Sequence, residues 1–306
     1  MKTVSVVIPT FNCADRVVRA LQSVAAQTYP LEHIQAVVVD DGSTDHTTNR
    51  IAEFTANSAL SVRYVRQENA GPAAARNHAM RLARGECIAF LDADDEWQPA
   101  KLERQLPLLT GSVGLVYCAN SFIDADGVAL ENYAREIELY RGDILLPLFC
   151  DFFLLTSAVI LKRSVFDVVK PFDESLSVGE DYDLFLRIAQ HFHADHSPEK
   201  LLIRCVRPDS LSRLDYVKDA RTDLSTLARF LRDNPDFAQR NRVAAAKRLA
   251  QCHYDFGYRL LSDNRRAEAI RELWESFQAR PTLAAARTAV RAMISSKKSS
   301  DSPCIG

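Results

Sequence analysis

The chain has 306 residues, 47% of them hydrophobic and 25% charged, which is enough apolar material to bury a core in one large domain or two smaller ones and excludes a disordered chain. Its 38 basic and 40 acidic residues are mixed along the length and leave a formal charge of −2, so the basic excess needed to hold a phosphate backbone is missing and no nucleic-acid partner is expected. The seven cysteines are widely spaced with no C-x-x-C pair, give no sign of a zinc or redox centre, and read as free thiols of a reducing cytoplasm.

The opening "MKTVSVVIPT" carries one Lys before an apolar run that stops at Pro9. That run is too short for a signal sequence and reads as a first strand. "VSVVIP" (4–9), "AVVVD" (36–40), "VRYV" (62–65), "CIAFLD" (87–92) and "GLVYC" (114–118) are short β-branched or aromatic runs, the form of strands covered on both faces. Between them lie helical stripes: Val17, Leu21 and Val24 in one, Leu102, Leu106 and Leu109 in another. Strand and helix alternating in this way predict an α/β fold, a mainly parallel sheet flanked by helices.

Such sheets bind ligands where the carboxyl ends of their strands meet. Polar or turn-forming residues collect there. Pro9-Thr10-Phe11-Asn12 ends the first strand, Asp40-Asp41-Gly42-Ser43 the second, Asn69-Ala70-Gly71-Pro72 follows the third, and Asp92-Ala93-Asp94-Asp95 ends the fourth.

Further on, "ILLPLFCDFFLLTSAVIL" (144–161) approaches the length of a membrane span, yet Pro147, Asp151, Thr156 and Ser157 interrupt it. A buried helix followed by a strand is expected, and a monotopic contact with a membrane surface stays open. "SAVILK", a short helix near "RSVFDVV", the loop "PFDESLSVGE" and the helix "DYDLFLRIAQ" follow. In "HFHADH" (191–196) the histidines lack a partnering Cys or carboxylate pattern and suit an edge strand better than a metal site.

Asp92 and Asp94 stand two apart, so both would point to one side if strand geometry persisted. Oxygen ligands of this kind suit Mg²⁺ or Mn²⁺ held against a diphosphate. The competing view is that Asp94, Asp95 and Glu96 open the next helix, where negative charge is favourable. For Glu96 that view is the expectation; for Asp92 and Asp94 the metal is.

In order, "VSVVIPTFN", "VVVDDGSTD", "NAGPAAARN", "FLDADDEW" and "GEDYDLFLRIA" resemble the family 2 glycosyltransferases of the GT-A fold, over residues 3 to about 212. The resemblance implies that Pro9 and Phe11 lie along a nucleobase and that Asp41 accepts a hydrogen bond from its imide N–H, hence a UDP- or dTDP-sugar donor. It implies a close approach of the donor at Gly71 and a nucleotide contact for Arg76, which could equally be an ordinary solvated helix arginine. Asp92 would meet the ribose or sugar and share a Mn²⁺ or Mg²⁺ ion with Asp94, with Asp95 as a helper. Asp181 would be the general base, with Glu180 shaping the acceptor site; these acids also suit the start of a helix. In "DDGSTD", Ser43 or Asp45 would cap the following helix.

Two departures stand out. Arg207 occupies the place of a metal-binding His, where it could meet the diphosphate directly, since an arginine cannot ligate a cation. Lys170-Pro171 replaces a glycine before "FDE".

From about 216 the strand signal gives way to Ala, Arg and Leu. "CHYDFGYRLLSDNRRAEAIRELWESFQARP" resembles one tetratricopeptide unit, with Gly257, Ala269 and Pro281 at its small, small and Pro positions and Ser276 in place of an Ala. One unit is too few for a free-standing solenoid, so it is expected to pack on the catalytic domain or on a second subunit. The expected organisation is a catalytic domain over 1–215, with a nucleotide-sugar half at 1–118 and an acceptor half at 119–215, then a helical region at 216–294 and a disordered tail at 295–306. The function expected from the resemblance is a metal-dependent inverting glycosyltransferase. It would act on a glycan or lipid-linked acceptor in bacterial surface polysaccharide synthesis, in the cytoplasm or at the inner face of the membrane. The rival is a non-catalytic nucleotide-sugar-binding or scaffold protein that recruits partners through its helical end.

Overall fold

The computed structural model describes residues 1–124, 126–130, 138–206 and 216–294. The chain divides into two compact units, Met1–Pro208 and Asp209–Gly306.

In the first unit the apolar runs form the strands expected of them. β1 (Val4–Thr10), β2 (Ile34–Asp40), β3 (Ser61–Arg66) and β4 (Cys87–Phe90) pair in parallel in the order β3-β2-β1-β4. The helices α1 (Ala14–Ala25), α2 (Thr47–Ala56) and α3 (Pro72–Leu82) alternate with them along the chain. The stripe Val17, Leu21 and Val24 is fully buried, in one apolar core with Val4, Val6 and Ile8 of β1. Gly71 caps α3 at φ +89°, a conformation that favours glycine, and Pro72 takes the first helical position, where it needs no N–H partner.

Beyond β4 the sheet becomes mixed. β5 (Asp95–Trp97), β6 (Val113–Ile123), β7 (Ile160–Lys162) and β8 (His193–Cys205) complete the order β3-β2-β1-β4-β7-β6-β8-β5. β7 is antiparallel to both neighbours, β6 is parallel to β8, and β5 is antiparallel to β8. Asp95 and Glu96 therefore lie in a strand, and the next helix, α4 (Lys101–Gln105), starts four residues after Trp97. This corrects the helix-start expectation for Glu96: its carboxylate pairs with Arg19 of α1. Three-residue pairing to β8 outweighed the local preference of acids for a helix start.

The run 144–161 folds as α5 (Leu145–Cys150), a 3-10 turn at Thr156–Ala158, and β7. No helix among the described residues is long and apolar enough to cross a membrane. At the start of β8, His193 Nδ1 lies 3.0 Å from Ser112 Oγ and His196 Nδ1 lies 3.3 Å from the Tyr140 carbonyl, which are structural contacts. The Lys170 and Pro171 carbonyls accept hydrogen bonds from Arg187 of α6 (Glu180–Ala189).

The second unit is helical: α7 (Tyr216–Asp233), α8 (Pro235–Arg240), α9 (Arg242–Ser262), α10 (Arg266–Ala279) and α11 (Leu283–Ile294). α9 and α10 form an antiparallel pair, with Gly257 against Ala269 and Leu273 and the Ser276 hydroxyl donating to the Ala250 carbonyl at 2.7 Å. A Cβ on Gly257 would sit 2.9 Å from Leu273 Cγ, so the absence of a side chain sets how closely the two helices approach.

Candidate active site

The strand order reverses direction between β1 and β4, the topological switch point at which open α/β sheets bind ligands. The loops leaving β1 and β2 are joined there. Asn12 N donates to Ser43 Oγ at 2.8 Å and Thr44 N donates to Asn12 Oδ1 at 2.8 Å. Asp45 accepts the N–H of Thr47 at 3.0 Å and so serves the start of α2, while Ser43 is taken up by the β1 loop. Pro9 lies within β1, and Phe11, just beyond its end, is 47% exposed.

Asp41 is buried and organises the loop after β3. Its Oδ1 accepts Gln67 Nε2 at 2.7 Å and Ala70 N at 2.9 Å, and its Oδ2 accepts Gly71 N at 2.8 Å. A carboxylate offers about four lone-pair sites. Three are used by these partners, and one on Oδ2 remains. Gln67 in turn bonds to His78 of α3 at 2.8 Å. The sequence reading missed Gln67, which an isolated polar residue after a strand does not advertise.

The carboxylates after β4 do not continue the strand. Asp95 N donates to the Asp92 carbonyl at 3.0 Å, closing a turn across 92–95. Asp92 and Asp94 are therefore not held on one side of a continuing strand as expected, and it is the turn that brings these acids together. Burial, then the charge of Asp92, raises the pKa of Asp94 against the pull of Arg16 and Arg204. Burial, then Asp94 and Asp92, raises Asp95 further. Two half-buried carboxylates and the buried Asp95, which repel one another and offer oxygen donors only, fit a hard divalent cation whose remaining ligands come from phosphate and water. Among the described residues there is no group of three or more His, Cys, Asp or Glu side chains placed to enclose a metal by themselves. Arg207 lies outside the described residues.

Arg76 is neither solvated nor free. It is 6% exposed, and its two terminal nitrogens divide between Asp92 Oδ1 at 2.7 Å and Glu180 Oε1 at 2.6 Å. Phe172 packs over the guanidinium at 5.5 Å. One cation thus joins the acid after β4 to the acid at the start of α6.

Next to Glu180, Asp181 Oδ1 accepts the Tyr182 N–H at 2.8 Å and Oδ2 accepts the Thr156 hydroxyl at 2.9 Å. Gly179, at φ +72°, turns the chain into α6. Burial, then the charge of Glu180, pushes the pKa of Asp181 up to about 6 against the pull of Arg76. Such a carboxylate accepts a proton near neutral pH.

Thr156 and Ser157 were visible in the sequence only as interruptions of an apolar run. They lie between the two acidic groups: Ser157 Oγ accepts Asp92 N at 3.0 Å.

The sequence profile of "Glycosyl transferase family 2" matches residues 5–166, and the chain belongs to that family. It is 32% identical over 220 residues to chondroitin synthase of Escherichia coli, a match covering 71% of this chain and 31% of that protein. It is 31% identical over 191 residues to the E. coli UDP-Glc:alpha-D-GlcNAc-diphosphoundecaprenol beta-1,3-glucosyltransferase WfaP, covering 61% of this chain and 70% of that one. The fold is similar to Staphylococcus aureus TarS 1–349 in complex with UDP-GlcNAc, with a TM-score of 0.67, 18% identity, and 96% and 88% of the two chains covered. The mannosyltransferase PcManGT of Pyrobaculum calidifontis, in complex with GDP-Man and Mn²⁺, gives a TM-score of 0.66 at 23% identity over 97% and 81% of the chains. The architecture is therefore that of the GT-A glycosyltransferases.

Proposed function

We propose that this chain is a metal-dependent, inverting glycosyltransferase that moves a sugar from a UDP- or dTDP-sugar to a hydroxyl of a glycan or lipid-linked acceptor. The observation that carries this reading is the Arg76 bridge, which puts Asp92 and Glu180 on one guanidinium with Asp181 next in sequence. The nucleobase would rest on Pro9 and Phe11, with its imide N–H on the remaining lone pair of Asp41, and the Gly71 backbone would lie close to the donor. The Asp92 carboxylate would meet the ribose or sugar, Arg76 would hold that carboxylate in place, and Arg207 would meet the diphosphate.

Asp94 and Asp92 would hold Mn²⁺ or Mg²⁺, with Asp95 behind them; such an ion offsets the charge that grows on a departing phosphate oxygen. Asp181 takes the proton of the acceptor hydroxyl as its oxygen bonds to the anomeric carbon. The bond from that carbon to the phosphate oxygen breaks, and the nucleoside diphosphate leaves with the electron pair. Attack opposite the leaving group inverts the anomeric centre. Glu180, tied to Arg76, borders the acceptor side.

WfaP, whose name gives a diphosphoundecaprenol-linked acceptor, supports a lipid-linked substrate and hence work at the inner face of a bacterial membrane. Thermal shifts with UDP-, dTDP- and GDP-sugars, with and without Mn²⁺, test the donor. UDP- or dTDP-sugars should stabilise the protein in the presence of Mn²⁺, and stabilisation by GDP-sugars alone would refute the role given to Asp41. Asp181→Asn should abolish transfer and keep donor binding. A wild-type chain that binds donor and never turns it over would be the scaffold.

A further inference from the structure

The chemistry proposed above leaves three neighbouring features without a role: the hydroxyls of Thr156 and Ser157, and the fully buried Lys101. They meet in one turn. Thr156–Ala158 is a 3-10 turn closed by Ala158 N to the Leu155 carbonyl at 2.9 Å and by Val159 N to the Thr156 carbonyl at 3.1 Å. Because β7 runs antiparallel to β4, the residues before β7 arrive beside the exit of β4, where Phe90 N bonds to the Val159 carbonyl at 3.3 Å.

The three residues of the turn serve three different partners. The Thr156 hydroxyl donates to Asp181 Oδ2 at 2.9 Å. Ser157 Oγ accepts Asp92 N at 3.0 Å and bonds to the Asp95 carboxylate, while its carbonyl accepts the Trp97 indole N–H at 2.9 Å. The Ala158 carbonyl accepts Lys101 Nζ at 2.9 Å and Gln105 Nε2 at 3.1 Å.

Lys101 is the costly member of this group. Its ammonium is 0% exposed and is held by the Gln105 amide oxygen and the Ala158 carbonyl, with Cys118 Sγ at 3.8 Å and the Trp97 ring at 5.0 Å. These partners are neutral. Burying an ammonium among neutral groups destabilises a fold relative to an apolar side chain of similar shape, so stability alone does not explain the lysine.

We propose that Lys101 and the Thr156–Ala158 turn form one positioning device for glycosyl transfer: Lys101 locks the turn from beneath, and the turn fixes the Asp181 carboxylate through Thr156 and the Asp92 backbone through Ser157. This deepens the glycosyltransferase reading and rests on Asp181 being its base. Thr156 and Lys101 are positioning residues, since they act through Asp181 and Asp92.

The groups facing Asp181 are Glu180 on its own helix, which raises its pKa, Arg76 from α3, which lowers it, and the neutral donors Thr156 and Tyr182 N, which also lower it. Removing the Thr156 hydroxyl therefore moves the acid limb of activity to higher pH.

The test follows nucleoside diphosphate release from UDP-glucose, UDP-N-acetylglucosamine and dTDP-glucose with Mn²⁺, across pH, in the full chain. Thr156→Val should lower kcat by roughly 10- to 100-fold, the scale of a misplaced base, with donor KM unchanged and the acid limb raised. Thr156→Ser should restore both. Lys101→Met should lower kcat while Tm holds or rises, because a buried ammonium has been removed. The proposal is overturned by a Thr156→Val variant with wild-type kcat and acid limb, or by a Lys101→Met variant whose kcat is unchanged or falls only in step with Tm.

Asp181→Asn separates this failure from that of the underlying reading. If Asp181→Asn stays active, the base assignment and the proposal fall together. If it is inactive and Thr156→Val behaves as wild type, the proposal falls alone. Where turnover is too slow to follow, NMR titration of the Asp181 carboxyl carbon decides: its midpoint rises in Thr156→Val, or the proposal is wrong.

Discussion

Arg76 Nη2 lies 2.7 Å from Asp92 Oδ1, and the same guanidinium reaches Glu180 with its other terminal nitrogen. The link joins α3, the turn after β4 and the start of α6. Burial opposes the charge on Arg76, and Asp92 and Glu180 more than offset it.

Replacing Arg76 with Met leaves Glu180 buried without its cation. Losing one partner of a buried pair typically costs about 3–5 kcal/mol. Arg76→Met should unfold at clearly lower denaturant in a urea titration. Unchanged stability would mean that Glu180 is protonated or rearranged.

Activity should depend on Asp181 with a definite sign. Its pKa is pushed up to about 6, so below that pH the group is protonated and cannot take a proton from the acceptor. The rate should fall about tenfold per pH unit on the acid side and level off above pH 6. Because the folded value exceeds the unfolded one of about 3.9, this group stabilises the fold fully below pH 4, and that contribution is lost as pH rises through 6. A pH–rate profile with a flat acid side would contradict the base assignment.

Burial and mutual repulsion raise the pKa of Asp94 and Asp95, so their charges oppose folding at neutral pH. A cation should relieve this. With UDP and Mn²⁺ at a hundred times the dissociation constant the protein should gain about 2.7 kcal/mol, and EDTA should remove the part owed to the metal. Asp94→Asn should raise the Tm of the ligand-free protein and lose the Mn²⁺-dependent increment. Differential scanning fluorimetry reads both.

In the helical unit, Gly257→Ala places a Cβ 2.9 Å from Leu273 Cγ and 3.1 Å from the Ala269 carbonyl oxygen. Leu273 is fully buried, so it has little room to recede. Overpacking of about 1–3 kcal/mol should exceed the helix-propensity gain of about 1 kcal/mol. Emission from Trp274, on the facing helix α10, should report earlier unfolding.

Short β-branched runs and the stripe Val17, Leu21 and Val24 determined the first four strands and α1 by themselves, because residues buried on both faces of a sheet have few other uses. The ordered motifs likewise identified the family and drew attention to the acids around Asp92 and Asp181. What the sequence did not contain was the other half of the sheet. Glu96 sits in β5 because β8, about a hundred residues later, offers its edge, and local preference carries no record of so distant a partner. The same holds for the site: Thr156 and Ser157 reach Asp181 and Asp92 only because β7 runs antiparallel to β4, and Arg76 becomes a bridge only once the start of α6 brings Glu180 beside it. Periodicity and local chemistry are properties of neighbouring residues. Which buried polar groups satisfy one another is decided by tertiary contact, since the cost of leaving them unpaired arises only after the chain has closed around them.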